Sequence, residues 1–285
     1  MGAAGEVGRK VKDSVSGVVK GAGDVVGGTV DTVRDTVAGT LQGVGDVAKE
    51  ATGAISGAIT GALQAVGEVG GSLIDVLKGT IVGVIEGVGE ITTVTAGVVS
   101  NTVRAAIKGT ADIGGDVAEA AAGTAEAAMS ATKKLALGVE DTAFSIGRGA
   151  IQGAKDISGD AVSTASETVS GVVKGATGIA ADTTSAIQST ASGLVTGAGE
   201  VGTDLRSVAR AAVVGAIDTA KEIGLNVEDA ASAAATGAVN GARDLGQTAV
   251  DAVRGVVTGT IDGVKVTVRG NGRARKPAAR KKTES

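Results

Sequence analysis

A 22-residue unit repeats twelve times along this chain without an insertion, with its first residue at Gly17 and its last start at position 259. The first residue of the unit is glycine in ten copies and alanine in two. A fixed period of this length is typical of a tandem array in which each unit packs against its neighbours. We therefore expect function to reside in the array rather than in a single pocket.

The spacing of apolar residues within the unit predicts a helix. Apolar residues favour positions 3, 6, 9, 13, 17 and 20 or 21, a mean spacing of about 3.67 residues that is close to one helical turn. The alternation typical of a strand is absent. We predict an all-α fold of amphipathic repeats. The apolar face is carried by position 3 in all twelve units: Val19, Leu41, Leu63, Ile85, Ile107, Met129, Ile151, Val173, Val195, Ile217, Val239 and Ile261.

A stripe of glycines at positions 1 and 5 runs beside the apolar face. Two glycines four residues apart allow another backbone to approach a helix closely. Glycine in a helix also costs about 1 kcal/mol relative to alanine, so the same stripe could simply make folding conditional on a partner or surface. We name as candidate helix-packing glycines Gly17, Gly21, Gly39, Gly43, Gly149, Gly153, Gly237 and Gly241.

Positions 10–12 decide between two arrangements of these helices. In several units a glycine precedes a residue that commonly caps a helix N-terminus, which predicts antiparallel helices of about 19 residues joined by glycine turns. Such segments are Gly70-Gly71-Ser72, Gly114-Gly115-Asp116, Gly202-Thr203-Asp204, Gly224-Leu225-Asn226 and Gly246-Gln247-Thr248. Ala48-Lys49-Glu50 and Ala136-Leu137-Gly138 lack this signal and are typical of helix interior. Long, nearly continuous helices are therefore the alternative.

Three regions follow from the repeat and the charge. Residues 1–16 are a partial N-terminal repeat, 17–265 the repeat array, and 266–285 a disordered basic tail. Residues 269–285 carry a net charge of +6, whereas the rest of the chain carries −10. We expect the tail either to keep the protein soluble or to contact an acidic partner, nucleic acid or anionic lipid. We assign its basic character to Arg269, Arg273, Arg275, Lys276, position 279, Lys281 and Lys282.

The composition argues against an enzyme and against a cofactor or metal site. There is no His and no Cys, so the usual general base, the commonest metal ligand and thiolate chemistry are all absent. The sequence GAGEVG at 197–202 resembles a dinucleotide loop, but its glycines fall on repeat positions. The most apolar stretch, 79–100, contains Glu86 and Glu90, which argues against a transmembrane span. The N-terminal sequence lacks the apolar core of a signal peptide, and we expect a cytoplasmic protein.

The repeat pattern resembles that of lipid-surface proteins. The segment 27–63, rich in Val, Thr, Ala and Gly and free of aromatic residues, resembles the 11-residue repeats of perilipins and synucleins. The 22-residue unit is similar to that of exchangeable apolipoproteins, which use Pro where this chain would use Gly. The resemblance implies a helix that lies on a lipid monolayer, a droplet or a polymer granule.

Three hypotheses of function follow. In the first, the chain is a non-enzymatic coat on an apolar surface, peripheral to a lipid droplet, membrane or storage granule, with weak units adding up through avidity. In the second, it folds on itself as a helical array or self-assembling scaffold, and its partner is another copy of itself. In the third, it is a stress-protective protein. The first two differ in whether the apolar stripe faces a foreign surface or other helices.

Overall fold

The chain folds into short helices joined by tight turns, as seen in a computed structural model that describes residues 3–21, 24–42 and 47–269. Within these ranges there are twelve α-helices followed by a hairpin of two strands. The helices are α1 Ala3–Lys20, α2 Val25–Leu41, α3 Val47–Val69, α4 Leu73–Ile91, α5 Ala96–Asp112, α6 Val117–Lys134, α7 Val139–Asp156, α8 Ala161–Gly178, α9 Thr183–Val201, α10 Leu205–Ile223, α11 Val227–Arg243 and α12 Gln247–Val257; the strands are β1 Gly259–Ile261 and β2 Val264–Val266. The all-α fold class is confirmed, in its form with short helices.

The helices form two rows, one of odd-numbered and one of even-numbered helices. From α1 to α10, each helix packs most extensively against a helix two places away along the chain, and less against its immediate neighbours in sequence. Since the chain reverses at each turn, helices within a row are parallel and the two rows run in opposite directions. The architecture is therefore an elongated two-layer stack with a period of two units, or 44 residues.

Two recurring devices explain where most of the helices from α4 onward begin and end. Position 12 of the unit supplies the N-cap: the Ser72 side chain accepts from the Asp75 N–H, and Asp182 accepts from the N–H groups of Thr184 and Ser185. Position 10 takes a left-handed conformation, with φ of 71° at Gly202 and 76° at Gly224, which ends the preceding helix. Alanine and serine adopt the same strained conformation at the equivalent positions Ala136, Ser158 and Ala180.

The interpretation of Ala136-Leu137-Gly138 as helix interior is therefore wrong. Helix α6 ends at Lys134 and α7 begins at Val139, with Ala136 at a φ of 51°. Neighbouring packing imposes the turn although alanine disfavours the left-handed region. Ala48-Lys49-Glu50 does lie inside a helix, α3, as its composition indicates.

The turn position moves by four residues at α3, although the sequence repeat is uninterrupted. Asp24 at position 8 caps α2, accepting from the Gly27 N–H at 3.0 Å, whereas most later helices are capped from position 12. The first unit has Gly28 at position 12 and the second has Glu50, and neither residue is a side-chain cap of the preferred type. The third unit has Glu68 at position 8 and Ser72 at position 12, so α3 extends to 23 residues before it ends.

The predicted apolar face lies inside the stack. Ten of its twelve members are fully buried within helices, and Ile261 is buried in β1; Val19 is half-buried against the core. Buried hydroxyls between the apolar residues mostly satisfy themselves within their own helix, as where Thr168 donates to the Thr164 carbonyl at 2.6 Å. The rows thus share a continuous core of small aliphatic side chains.

The C-terminal end departs from the predicted boundaries. The boundary at 265/266 falls within β2, and β1 and β2 pair antiparallel with Thr260 opposite Lys265. The expected cap at Thr248 is also wrong, because α12 begins at Gln247 after Gly246, which has a φ of 105° and no side-chain cap. At the other end, the boundary at 16/17 lies inside α1. No helix in the described ranges is both long enough and apolar enough to cross a membrane.

Candidate functional site

Open grooves rather than an enclosed pocket mark the surface of the stack. The most voluminous of them, about 570 Å³, lies between α9, α10 and α12, and its lining includes Asp204, Arg206 and Leu245. Asp204 is occupied there as the N-cap of α10. Among the described residues no group of three or more carboxylates could hold a metal ion. The features that recur regularly are instead the contacts between row neighbours, and these form the candidate functional site.

Glycines at positions 1 and 5 seat each helix on the backbone of the helix two places earlier. A Cβ built on Gly215 would lie 2.5 Å from the Ser166 carbonyl oxygen, and one on Gly175 would lie 2.8 Å from that of Glu126. Gly149 meets the Ser100 carbonyl in the same way. In all three pairs the sequence separation is 49 residues, because parallel row neighbours keep a constant offset. Any side chain at these glycines would force the two helices apart.

The eight predicted packing glycines divide into two groups. Gly149, Gly153, Gly237 and Gly241 lie against the row neighbour, with Gly153 facing Ile107 and the Arg104 carbonyl. At Gly17 and Gly39 a built Cβ would meet nothing within 4 Å, and at Gly21 it would meet only carbonyls of α1 itself. For these three the prediction is wrong, because α1 and α2 have no earlier row neighbour. Gly43 lies outside the described residues.

The two units that begin with alanine mark looser junctions in the rows. Position 1 is Ala105 in α5 and Ala127 in α6. At these junctions the nearby glycines meet side chains instead of backbone: Gly109 faces Leu63, and Gly123 faces Ile74. A groove of about 230 Å³ opens on the odd-numbered row here, between α3, α5 and α7. The methyl group of alanine is sufficient to prevent backbone contact at this point of the stack.

Ion pairs also connect row neighbours, and sequence reasoning missed them. We expected the acidic residues at position 8 to form a solvated face, but many of them receive a Lys or Arg from the helix two places earlier. The pairs join residues 48–56 apart in sequence: Lys12–Glu68, Arg34–Glu90, Lys78–Glu126, Glu86–Lys134, Arg104–Asp156, Arg148–Glu200 and Lys174–Glu222. The recurrence of these separations is the sequence signal that could have revealed them.

Arg104 and Asp156 form the best-aligned of these pairs. Arg104 donates from Nε to Asp156 Oδ2 at 2.5 Å and from Nη2 to Oδ1 at 2.8 Å, which is the two-point geometry of a strong pair. The hydrogen bond from Arg104 lowers the pKa of Asp156 below its usual value. Because both side chains are partly exposed, we assign the pair a role in the register of α5 and α7 rather than a large share of stability.

Arg269 is the one predicted tail residue that lies in the described part of the chain. It is held in place: its backbone N–H donates to Thr236 Oγ1 at 2.9 Å, and its guanidinium pairs with Asp229. The disordered-tail prediction is therefore wrong for residues 266–269.

The other basic residues of the tail lie outside the described part of the chain. The assignment of a basic side chain to position 279 is wrong on the sequence itself, because that residue is Ala279 and the arginine follows it as Arg280. The charge of the tail is unaffected, since Arg280 is already counted in it. The basic residues beyond the described ranges are thus Arg273, Arg275, Lys276, Arg280, Lys281 and Lys282.

Comparison of the sequence with models of known protein families and with curated proteins finds no match.

Proposed function

We propose that this chain is a non-enzymatic structural scaffold that folds on itself into a two-row helical array. The observation that carries the proposal is the burial of the apolar stripe. Leu41, Leu63 and Ile85 have essentially no exposed surface, since each is enclosed by side chains of other helices. A stripe buried in this way stabilises the array instead of a foreign surface.

The row contacts support the same proposal. A helix that lies on lipid needs no glycine at a fixed register with another helix, whereas the stack uses one wherever backbones touch, as at Gly83 against the Val30 carbonyl at 2.6 Å. The ion pairs between row neighbours repeat along both rows and require the same alignment. Both features are typical of helices selected to pack on each other.

The surface-coat hypothesis stays a prediction with a definite structural requirement. To place its apolar stripe on a droplet or granule, the stack would have to open and exchange its interhelical contacts for contacts with the surface. The charge of −10 outside residues 269–285 would oppose an anionic lipid surface, so a neutral surface is the appropriate probe.

Far-UV circular dichroism of the full chain, with and without a neutral-lipid emulsion, separates the two functions. We expect a strongly helical spectrum and a cooperative thermal transition in plain buffer, with little change on adding emulsion, because the core is already complete. A chain that is largely non-helical in buffer and becomes helical on the emulsion would contradict the scaffold and support the coat. Bovine serum albumin, helical in both conditions, controls for light scattering by the emulsion.

A further inference from the structure

The face of α11 that would receive a next row neighbour is occupied by non-helical chain. On α9, the carbonyls of Gln188 and Ser192 receive Gly237 and Gly241 of α11. One 44-residue period later, the equivalent residues on α11 are Ser232 and Thr236. We call the α11 surface around these two residues the receiving face.

The covering segment is residues 259–269, which we call the strap. It comprises the hairpin and the three residues after it. Within the strap, the Thr267 N–H donates to Ser232 Oγ at 3.3 Å and the Arg269 N–H donates to Thr236 Oγ1 at 2.9 Å. Ser232 and Thr236 are each only 4% exposed as a result. Backbone N–H groups of the strap thus satisfy hydroxyls at the positions that elsewhere receive a helix.

The strap is attached by few contacts compared with a helix of the stack. Its strands are three residues long, and its buried side chains in those strands are Ile261 and Val266. The ion pair between Arg269 and Asp229 is exposed to solvent on both sides. Two-stranded hairpins are marginally stable on their own, and Asp262 at the turn adds a left-handed conformation with φ of 48°. The strap is therefore the easiest interhelical cover to displace.

The opposite end of the array cannot supply the occupant. Asp13 of α1 and Asp35 of α2 stand one period before Gly57 and Gly79, which pack against Ala4 and Val26. A carboxylate at a position of backbone contact would have to be desolvated, which disfavours stacking of α1 and α2 on another copy. The receiving face therefore suits a separate helix rather than the N-terminal end of a second array.

We propose that the receiving face is a docking site for a helix of a partner protein, one that carries two glycines four residues apart and lies parallel to α11. The face continues the row interface by one period, so that the contact of α11 on α9 is its template. The strap covers the site until it is displaced. This inference rests on the proposed function, because only a self-folded array presents the face.

The test uses the full chain with its strap released by Ile261→Asp and Val266→Asp. The probe is a fluorescent peptide of residues 225–245, the sequence that packs on the equivalent face of α9, and the control peptide carries Gly237→Leu and Gly241→Leu. We expect fluorescence anisotropy to show the glycine peptide binding the released chain roughly tenfold or more tightly than it binds the native chain or than the control peptide binds. Binding should also weaken when Ser232→Leu is added to the released chain.

Equal binding of the two peptides, or no binding, to a released chain that keeps its helical spectrum would overturn the inference. If the two aspartates unfold the array, Thr267→Pro with Arg269→Glu replaces them, because this pair removes one strap hydrogen bond and the ion pair without touching the apolar anchors. Absence of helix in the native chain would instead overturn the proposed function, so that the two failures are distinguishable by circular dichroism.

Discussion

At the scale of single residues, glycine has two opposite effects in this chain. Inside a helix it costs about 1 kcal/mol relative to alanine wherever its surroundings are open. Where a neighbouring backbone lies against it, however, the absence of a side chain is what allows the contact. Gly17 and Gly149 occupy the same position of the repeat, yet only Gly149 has a backbone against it. Their sequence context is alike, so the sign of a substitution depends on the neighbour.

Substitution of these glycines by alanine should therefore change stability in opposite directions. We expect Gly149→Ala to destabilise the array by roughly 1–3 kcal/mol, because its Cβ would collide with the Ser100 backbone. Gly17→Ala should stabilise it by roughly 0.5–1 kcal/mol, since α1 is open there. Urea unfolding followed by circular dichroism measures both changes. Destabilisation of similar size by the two variants would contradict a role for Gly149 in row contact.

At the scale of the element, the helices are delimited by their caps more than by their interiors. Asp160, Asp182 and Asp204 occupy the same repeat position and use the same arrangement, in which the carboxylate accepts from backbone N–H groups and from a Ser hydroxyl three residues on. The hydroxyl bonds, from Ser163, Ser185 and Ser207, are the main cause of a lowered pKa at each carboxyl, with the backbone bonds adding to it.

These caps should make the array sensitive to acid. Because each carboxyl has a lower pKa in the folded chain than in the unfolded chain, its stabilising contribution is present above about pH 4 and is lost as the pH falls through the folded-state pKa. We expect the melting temperature to fall between about pH 4 and pH 2. The triple variant Asp160→Asn, Asp182→Asn, Asp204→Asn should show a smaller fall, since Asn caps a helix without titrating. An unchanged pH profile in this variant would show that other carboxylates cause the acid sensitivity.

At the scale of the whole molecule, the stack has no single centre. Its core consists of two clusters of buried side chains, and α7 joins them: Ile146 and Ala150 belong to the first cluster, and Ile151 belongs to the second. Arrays in which each unit touches only near neighbours have stabilities that approximate a sum of local terms. The two ends should therefore be able to unfold separately when the link between them is weakened.

Ile151→Ala tests this expectation at the point where the clusters meet. Loss of a fully buried isoleucine side chain should cost roughly 2–5 kcal/mol and separate the unfolding of α1–α6 from that of α8–α12. Hydrogen exchange with mass spectrometry would show two groups of helices with different opening free energies. The matched control is Val7→Ala in α1, which should accelerate exchange near α1 alone. A uniform acceleration across all helices in the Ile151 variant would indicate one cooperative core.

Sequence alone determined the helical class, the length of the unit and the apolar residues that form the core, because these depend on spacing within one helix. It also located most turns, since Asp116 and Asn226 cap helices through bonds to their own neighbours. Local signals failed at Ala136, where packing imposes a turn on a residue that disfavours it.

Tertiary structure alone decided which helix lies against which. The 49-residue offset that brings Gly149 to Ser100 and the pairing of Arg104 with Asp156 depend on two rows forming, and no short-range pattern encodes that choice. The same holds for the C-terminal strap, whose residues lack the repeat pattern and acquire their place from hydroxyls on α11. The physical reason is that a helical stripe specifies what must be buried, whereas contacts between distant helices specify the partner that buries it.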